Sequence, residues 1–110
     1  MTIELKTIGR RPDDLRFFIQ AGGLHAGGIT VHNAHDGAFS YGIAIAPGMR
    51  RRGVASAALP LLFERMKAAG YDRVFVQIEP QNAASLALHR KLGFTQTAED
   101  AHAVTLTKAL

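Results

Sequence analysis

The segment between residues 38 and 79 constrains the fold more than any other part of this 110-residue sequence. Ala38–Ala46 alternates large and small side chains, as a strand does, and Gly53–Ala69 has apolar residues at helical spacing before Gly70. Arg73–Glu79 alternates again and gives a second strand. A strand–helix–strand unit predicts two parallel neighbouring strands in one sheet. The small side chains on one face of the first strand predict that another group packs closely against that face.

Shorter patterns on both sides of this unit complete the predicted architecture. Strand patterns occur at Thr2–Ile8, Leu15–Gln20, Leu24–His32, Phe94–Thr97 and Ala103–Ala109. A second helix is predicted from Asn82 to Leu92. Turn residues at Arg11–Asp14 and Asp36–Gly37 separate the first strands, and Gly27-Gly28 predicts a bulge in the third strand. We therefore expect an α+β fold: a mixed, mostly antiparallel sheet of six to seven strands with two main helices.

Composition limits the class of protein before any motif is considered. A chain of 110 residues, 47% of them hydrophobic, is expected to fold as one domain spanning residues 1–110. It has no cysteine, which excludes disulfide scaffolds, thiolate zinc sites and cysteine nucleophiles. No spacing of carboxylates with its five histidines suggests a metal site, so no metal is expected. The sequence has no membrane-spanning run and Met1–Lys6 does not resemble a signal peptide, so we expect a cytoplasmic protein.

The positive charge of the chain is concentrated at one point. Lys and Arg number 13 against 9 acidic residues, which gives a net charge of +4, and three arginines follow one another at positions 50–52. Nucleic-acid-binding proteins spread such charge over a face, so this arrangement argues against a nucleic-acid partner and for a local anion site. Gly53, Val54 and Ala55 come next and start the helix, whose unpaired N–H groups favour an anion. The alternative interpretation is a helix start whose arginines simply face solvent.

Two segments of the sequence carry a specific motif. Arg50-Arg51-Arg52-Gly53-Val54-Ala55 fits the pattern Gln/Arg-x-x-Gly-x-Gly/Ala and follows a strand and a proline at Ile43–Pro47. Further on, Asn82–Phe94 is similar to the pattern Asn-x-x-Ser/Ala-x-x-Leu-Tyr-x-Lys-x-Gly-Phe. In this order, and separated by one strand, the two segments resemble the GNAT superfamily of acyl-CoA-dependent N-acyltransferases, from about Leu15 to the C-terminus. The resemblance implies an N-acetyltransferase that transfers an acetyl group from acetyl-CoA to an amine by direct attack.

The resemblance also implies which residues bind the co-substrate acetyl-CoA. Backbone N–H groups of Arg51–Ser56 would hold the pyrophosphate. The strand edge Ile43–Ile45 would pair with the pantetheine amides, and the Ile45 N–H would polarise the thioester carbonyl. Asn82 would hydrogen-bond the pantetheine arm or simply cap its helix, and Ser85 would face the adenine or solvent. The implied cofactor-binding residues are Ile43, Ala44, Ile45, Arg50, Arg51, Arg52, Gly53, Val54, Ala55, Ser56, Asn82 and Ser85.

Three features depart from the family pattern. His89 stands where many members have the tyrosine that protonates the departing thiolate, so it is either the general acid or a packed helix histidine. Gln77 stands where some relatives have a glutamate base, and an amide cannot accept the proton. The base is then Glu79 on the same strand face, a histidine or a water chain, unless the amine binds already neutral; Glu79 is alternatively a solvated carboxylate. Arg10–Asp14 is too short for the two helices that usually wall the acceptor site. The acceptor groove should therefore be open, or completed by a second subunit in a homodimer.

Two classes of function remain open at the level of sequence. The first is an active N-acetyltransferase whose amine acceptor, a small molecule or a protein amine, is not identified. An open groove favours a protein or another exposed amine over a small molecule that needs an enclosing pocket. The second is a reduced domain that binds acyl-CoA as a sensor or interaction module with little turnover. His89, Gln77 and the short Arg10–Asp14 segment are the features that keep this second class open.

Overall fold

A seven-stranded sheet runs through the protein, of which the computed structural model describes residues 2–11 and 14–110. The strands are β1 (Ile3–Arg11), β2 (Asp14–Ala21), β3 (Leu24–His35), β4 (Ala38–Ile45), β5 (Arg73–Ile78), β6 (Thr95–Glu99) and β7 (Val104–Ala109). The helices are α1 (Val54–Ala68) and α2 (Ala83–Lys91), and a short 3-10 turn covers Pro47–Met49. The strand order across the sheet is β1-β2-β3-β4-β5-β7-β6.

The strand directions confirm the α+β architecture expected from the sequence. β4 and β5, which precede and follow α1, are parallel neighbours, whereas the other neighbouring pairs are antiparallel. Asp36 and Gly37, both with left-handed backbone (φ 53° and 78°), form the predicted two-residue turn between β3 and β4. The structure extends β3 beyond its predicted end, as far as His35. Of the predicted turn at Arg11–Asp14, Pro12 and Asp13 lie outside the described residues.

Both helices pack against the same face of the sheet. Tyr41 on β4 is in ring contact with Phe63 of α1 and with His89 of α2, and the ring centroids are 6.0 Å apart in each pair. Arg65 of α1 also reaches the outer strand, where its guanidinium donates to the Leu5 carbonyl over 2.6 Å. The largest fully buried side chains are Phe39, Ile19, Ile29, Leu59, Leu62, Leu106 and Val74. Each such side chain contributes about 1.5–3 kcal/mol when it is removed from water.

The opposite face of β2, β3 and β4 is uncovered in the described structure. Phe18 on β2 is 43% exposed, and Gly42 and Ala44 on β4 are exposed as well. An open groove with a volume of about 470 Å³ lies over them. The prediction that a group packs against the small-residue face of β4 is therefore wrong for the part of the chain that the structure describes. The alternation places the bulky residues of β4 towards the helices, but it does not require anything to cover the small ones.

A bulge in β3 brings the backbones of β3 and β4 together. The pairing with β2 steps from Gly27 to His25 and leaves Ala26 as the extra residue, next to the predicted position at Gly27-Gly28. Gly27 has a φ of 154°, and a Cβ at this position would overlap the carbonyl oxygen of Ala44. Only glycine permits this approach. The bulge therefore determines how closely the second half of β4 lies against β3.

β4 and β5 separate soon after they pair. Their parallel register, within the described residues, consists of Ala38 with Arg73 and Phe39 with Val74. Beyond these pairs, β4 continues to Ile45 with β3 on its other edge. A gap therefore opens between β4 and β5, and the chain leaves the end of β4 for the loop that leads into α1.

The two helices end with the same hydrogen-bond pattern. Gly70 follows α1 and Gly93 follows α2, and both have left-handed backbone, with φ values of 103° and 97°. The residue after each glycine donates to a carbonyl in the last turn: Tyr71 to Met66 and Phe94 to His89, both over 3.0 Å. This is the Schellman arrangement, and it confirms the helix end predicted at Gly70.

Candidate functional site

A cavity of about 330 Å³ lies at the start of α1 and beside the end of β4. Arg50, Arg51 and Gly53–Ser56 line one side of it, and Ile45 contributes from β4. α2 closes the other side with Ala84 and Leu88. The cavity therefore lies where the loop after β4, the first turn of α1 and one face of α2 meet.

The first turn of α1 offers unpaired hydrogen-bond donors to this cavity. Gly53 is the N-cap residue, with a left-handed backbone (φ 74°), and no side chain caps the helix. The first helical bond runs from the Ala57 N–H to the Gly53 carbonyl, over 3.1 Å. The N–H groups of Val54, Ala55 and Ser56 precede that bond and have no partner within the helix. The helix dipole adds positive potential at the same place, and the first turn contains no acidic residue.

The arginines add full positive charges to the partial positive charge at the start of α1. Arg50 donates from Nε to the Ile45 carbonyl over 3.2 Å, which holds its guanidinium at the end of β4. Arg51 has a left-handed backbone (φ 62°), which is uncommon for a residue with a side chain. Neither arginine forms an ion pair with an acidic side chain in the described part of the chain. The cavity is therefore suited to an anionic ligand.

The edge of β4 that faces the gap also presents backbone donors. Along a strand, successive N–H groups point alternately to the two edges. The Ala46 N–H donates to the Ala26 carbonyl on the β3 side, over 2.8 Å. The N–H groups of Ile43 and Ile45 therefore point to the opposite edge, from which β5 has separated. This edge can accept an extended ligand as a further strand would be accepted.

The start of α2 differs from that of α1, because a side chain caps it. The Asn82 amide oxygen accepts the Ser85 N–H over 3.1 Å. The amide nitrogen of Asn82 is a donor and takes no part in the cap. Ser85 is half-buried, and its Oγ lies 3.4 Å from Nδ1 of His89. Asn82 and Ser85 do not line the cavity at the start of α1, although Ala84 between them does.

His89 is buried in the contact between α2 and β4. The residue is 4% exposed, its Nδ1 lies 2.8 Å from the Ser85 carbonyl oxygen, and its Nε2 lies 2.8 Å from the Tyr41 hydroxyl. Burial lowers the pKa of His89 below its ordinary value of 6.5, which the hydrogen bond to Ser85 partly opposes. Burial also raises the pKa of Tyr41. Both rings are therefore uncharged near neutral pH.

Glu79 follows β5 on the outer, solvent-facing side of the sheet. Both Glu79 and Gln77 are exposed, and the Gln81 amide donates to the Glu79 carboxylate over 3.2 Å. This side lies opposite the face that α1 and α2 cover. The carboxylate is therefore hydrated and held at the end of its strand.

The structure brings together only some of the cofactor-binding residues that the sequence implies. Ile43 and Ala44 line the open groove on the other face of the sheet, and Arg52 is exposed without lining the α1 cavity. Conversely, Met49, Ala84 and Leu88 line the cavity without having been singled out in the sequence. The spacing of Ala84 and Leu88, four residues apart on one helix face, is the signal that points to the latter pair.

Comparison with known proteins supplies the family. The model of the acetyltransferase (GNAT) family matches residues 2–94, and the chain belongs to this family. The ribosomal protein bS18-alanine N-acetyltransferase of Escherichia coli is 28% identical over 82 residues, which make up 74% of this chain and 55% of that protein. The chain thus spans about half the length of the curated relatives it matches.

Solved structures share the fold over the whole chain. An acetyltransferase from Bacillus subtilis, in complex with CoA, has a TM-score of 0.85 at 14% identity, and the match covers 99% of each chain. The IAA acetyltransferase from Bacillus cereus has a TM-score of 0.82 at 16% identity, and the match covers 99% of this chain and 100% of that one. Within the described residues, no helix has the length and hydropathy needed to cross a membrane.

Proposed function

We propose that this protein is an acyl-CoA-dependent N-acetyltransferase that transfers the acetyl group of acetyl-CoA to an amine by direct attack. The observation that carries the proposal is the cavity where the uncapped, basic start of α1 meets the open edge of β4. The names of the similar proteins, one an N-acetyltransferase and one a complex with CoA, support it. We further propose that residues 1–110 work as one domain in the cytoplasm.

The CoA pyrophosphate would bind at the start of α1. The N–H groups from Arg51 to Ser56 supply donors, and Gly53 and Ala55 are small enough for the ligand to approach the backbone closely. Arg50 and Arg51 supply charge beside the cavity, and Arg52 supplies charge from outside it. A diphosphate is the ligand that uses all of these features together.

The pantetheine arm would extend the sheet along β4. Its amides would pair with the edge formed by Ile43, Ala44 and Ile45, and the Ile45 N–H would donate to the thioester carbonyl as the oxyanion develops. Asn82 would bind the arm through its amide nitrogen while its oxygen caps α2. Ser85, one turn further along α2, would face the adenine or solvent.

Transfer also requires proton movement, because the amine nitrogen loses a proton and the thiolate gains one. His89 would supply the proton for the thiolate, and its place on α2 beside the end of the gap supports this role. Glu79 is the base candidate directly after β5, although its exposure and its hydrogen bond with Gln81 support a solvated carboxylate equally well.

The acceptor amine would approach over the uncovered face of the sheet. The groove there is about 470 Å³ in volume and shares Ile43 and Ala44 with the strand that would hold the thioester. Two exposed apolar side chains, Ile8 and Phe18, border it. An open groove of this kind suits an amine on a protein or on another exposed group, and a second subunit would cover it in a homodimer.

Calorimetric titration with acetyl-CoA tests the cofactor site directly. We expect micromolar binding by the wild-type protein and roughly 100-fold weaker binding by the Arg50→Ala/Arg51→Ala double variant, because each charge-assisted contact contributes at least about 1.5 kcal/mol. The matched control is Lys6→Ala/Lys67→Ala, which removes the same charge from exposed positions outside the cavity. Absence of binding by the wild-type protein would refute the proposal.

The alternative function is an acyl-CoA-binding sensor or interaction module with little turnover. The burial of His89 and its two internal hydrogen bonds favour this alternative, since they occupy both nitrogens of the ring. Thiol release from acetyl-CoA, measured with a panel of free amines and peptides, separates the two functions. Binding without thiol release by any amine would support the sensor.

A further inference from the structure

A polar pair, Tyr41 and His89, joins β4 to α2 inside the core. The Tyr41 oxygen lies 2.8 Å from Nε2 of His89, and Nδ1 lies 2.8 Å from the Ser85 carbonyl oxygen. A carbonyl only accepts hydrogen bonds, so its partner assigns the ring proton to Nδ1. In the neutral ring, Nε2 then accepts the hydrogen bond that the Tyr41 hydroxyl donates.

This arrangement accommodates a second protonation state without leaving a buried polar group unpaired. If Nε2 takes up a proton, it becomes a donor, and the Tyr41 oxygen can accept from it. Nδ1 keeps its bond to Ser85 in both states. The other ring in contact with His89 is Phe94, at 5.1 Å between centroids, so Tyr41 is the titratable ring beside it. Among the described residues, the Tyr41 oxygen is the group within hydrogen-bond distance to which a proton on Nε2 can pass.

The position of Tyr41 along β4 places it at the closed end of the gap. β4 pairs with β5 through Phe39, and the open edge with Ile43 and Ile45 begins just beyond Tyr41. His89 lies one residue after Leu88, which lines the cavity at the other end of the same region. A thioester bound along this edge, with its pyrophosphate at α1, would extend towards the Tyr41 hydroxyl.

We propose that Tyr41 and His89 form the proton relay of acetyl transfer, in which the Tyr41 hydroxyl contacts the reacting atoms and His89 stores the proton behind it. The proposal rests on the proposed transferase function. In the tetrahedral intermediate, nitrogen and sulfur are bonded to the same carbon, so one hydroxyl can reach both. The relay would supply both the acid and the base of the reaction.

The proton transfers of this relay balance without another reactant. When the amine attacks, the C–N bond forms and nitrogen carries one surplus proton. The Tyr41 oxygen takes that proton as its own hydroxyl proton passes to Nε2 of His89. When the C–S bond breaks, Nε2 returns a proton to the Tyr41 oxygen, and the hydroxyl proton goes to sulfur. The products are the amide and the thiol, and both side chains return to their starting states.

Steady-state kinetics of Tyr41→Phe and His89→Gln test the relay, with thiol release from acetyl-CoA as the readout. Each variant should lower kcat about 100-fold, while KM for acetyl-CoA changes less than about threefold. The double variant should be no slower than either single variant, because the two groups act as one unit. Phe63→Leu is the packing control: it disturbs a ring that contacts Tyr41 but moves no proton, so kcat should change less than about threefold.

The outcomes are distinguishable from a failure of the proposed function. Wild-type thiol release with the amine panel is measured first, and its absence would refute the function and the relay together. If the wild type turns over, a Tyr41→Phe variant that keeps its kcat while His89→Gln loses it would overturn the relay, because the imidazole would then act directly. Nitrogen chemical shifts of His89 in the folded protein provide a check that needs no turnover: a proton on Nε2 instead of Nδ1 in the neutral ring would also overturn it.

Discussion

The two helices of this protein end alike and begin differently. Gly70 and Gly93 follow them in the same left-handed conformation. At the other ends, Asn82 caps α2 with its amide oxygen, whereas Gly53 precedes α1 without any side-chain cap. An uncapped helix start exposes donors that need a partner, and the partner can be a ligand. The difference therefore supports our proposal that the start of α1 binds the pyrophosphate, whereas the start of α2 is already held by its own side chain.

The buried faces of the two helices differ as well. α1 buries six apolar side chains, among them Leu59, Leu62 and Phe63, which pack it against the sheet. α2 buries one residue, His89. The attachment of α2 thus includes a polar contact whose strength depends on protonation, whereas α1 is attached by apolar side chains and by the Arg65 hydrogen bond to the Leu5 carbonyl, which does not titrate near neutral pH.

The largest effect is expected from giving α1 the negative charge that its start lacks. Ser56→Glu places a carboxylate in the first turn, where it should stabilise the helix by about 0.3–1 kcal/mol. The same carboxylate would repel the pyrophosphate of acetyl-CoA, so we expect affinity to fall about 100-fold. Thermal unfolding and calorimetric titration measure the two effects. Ser56→Gln is similar in size but uncharged and should retain most of the affinity; equal losses in both variants would contradict an electrostatic cause.

The similarity of the helix ends predicts two matched losses of stability. Gly70→Ala and Gly93→Ala each place a Cβ on a left-handed residue, which should cost about 1–2 kcal/mol. Steric crowding should not make the two losses very different. An added Cβ at Gly70 meets no atom within 4 Å, and an added Cβ at Gly93 meets the flexible end of the Lys108 side chain. Urea denaturation measures both. A loss at one end alone would mean that the two ends are not equivalent.

Asn82 allows the cap of α2 to be separated from ligand binding. Asn82→Ala removes the acceptor for the Ser85 N–H and should cost about 1 kcal/mol of stability. Asn82→Asp keeps an acceptor but loses the amide donor, so stability should be retained while acetyl-CoA affinity falls about tenfold. Denaturation and titration of the same two variants give the answer. If Asn82→Asp binds acetyl-CoA as the wild type does, the side chain acts only as a cap.

Local sequence was sufficient to predict most elements and the start of α1. Period-two and helical patterns locate the strands and helices. The arginines before Gly53 indicate the proposed anion site from sequence alone, because the groups that form it are close in sequence. The contact between Tyr41 and His89 was not predictable in this way, because 48 residues separate them and only the packing of α2 on β4 brings them together. Leu88 enters the cavity for the same reason, whereas Met49 directly precedes Arg50 in the loop.

The open groove illustrates a different limit. Alternation along β4 correctly placed Phe39 and Tyr41 on one face and Gly42 and Ala44 on the other. It could not say what covers each face, because that depends on elements elsewhere in the chain. In the described residues both helices lie on the first face, which leaves the second as a groove.

The smallest expected effect concerns how the attachment of α2 responds to pH. Burial lowers the pKa of His89 in the folded protein, so the unfolded chain takes up this proton more readily than the folded one. Stability should therefore fall in the wild type as the pH drops below about 6.5, whereas His89→Gln lacks this contribution. Asp100, whose pKa is lowered by the N–H groups of His102 and Ala103, contributes equally to both proteins and cancels in the difference.

Urea denaturation of wild type and His89→Gln at pH 7.5, 6.5 and 5.5, values chosen to bracket the ordinary histidine pKa of about 6.5, measures this difference. We expect the stability advantage of the wild type over the variant to shrink towards the lowest pH. A constant advantage would mean that the ring titrates as it does in the unfolded chain, and the polar contact of α2 would then be no more sensitive to protonation than the apolar contact of α1. A growing advantage would mean that the Tyr41 oxygen, which can accept from a protonated Nε2, outweighs the cost of burying the charge.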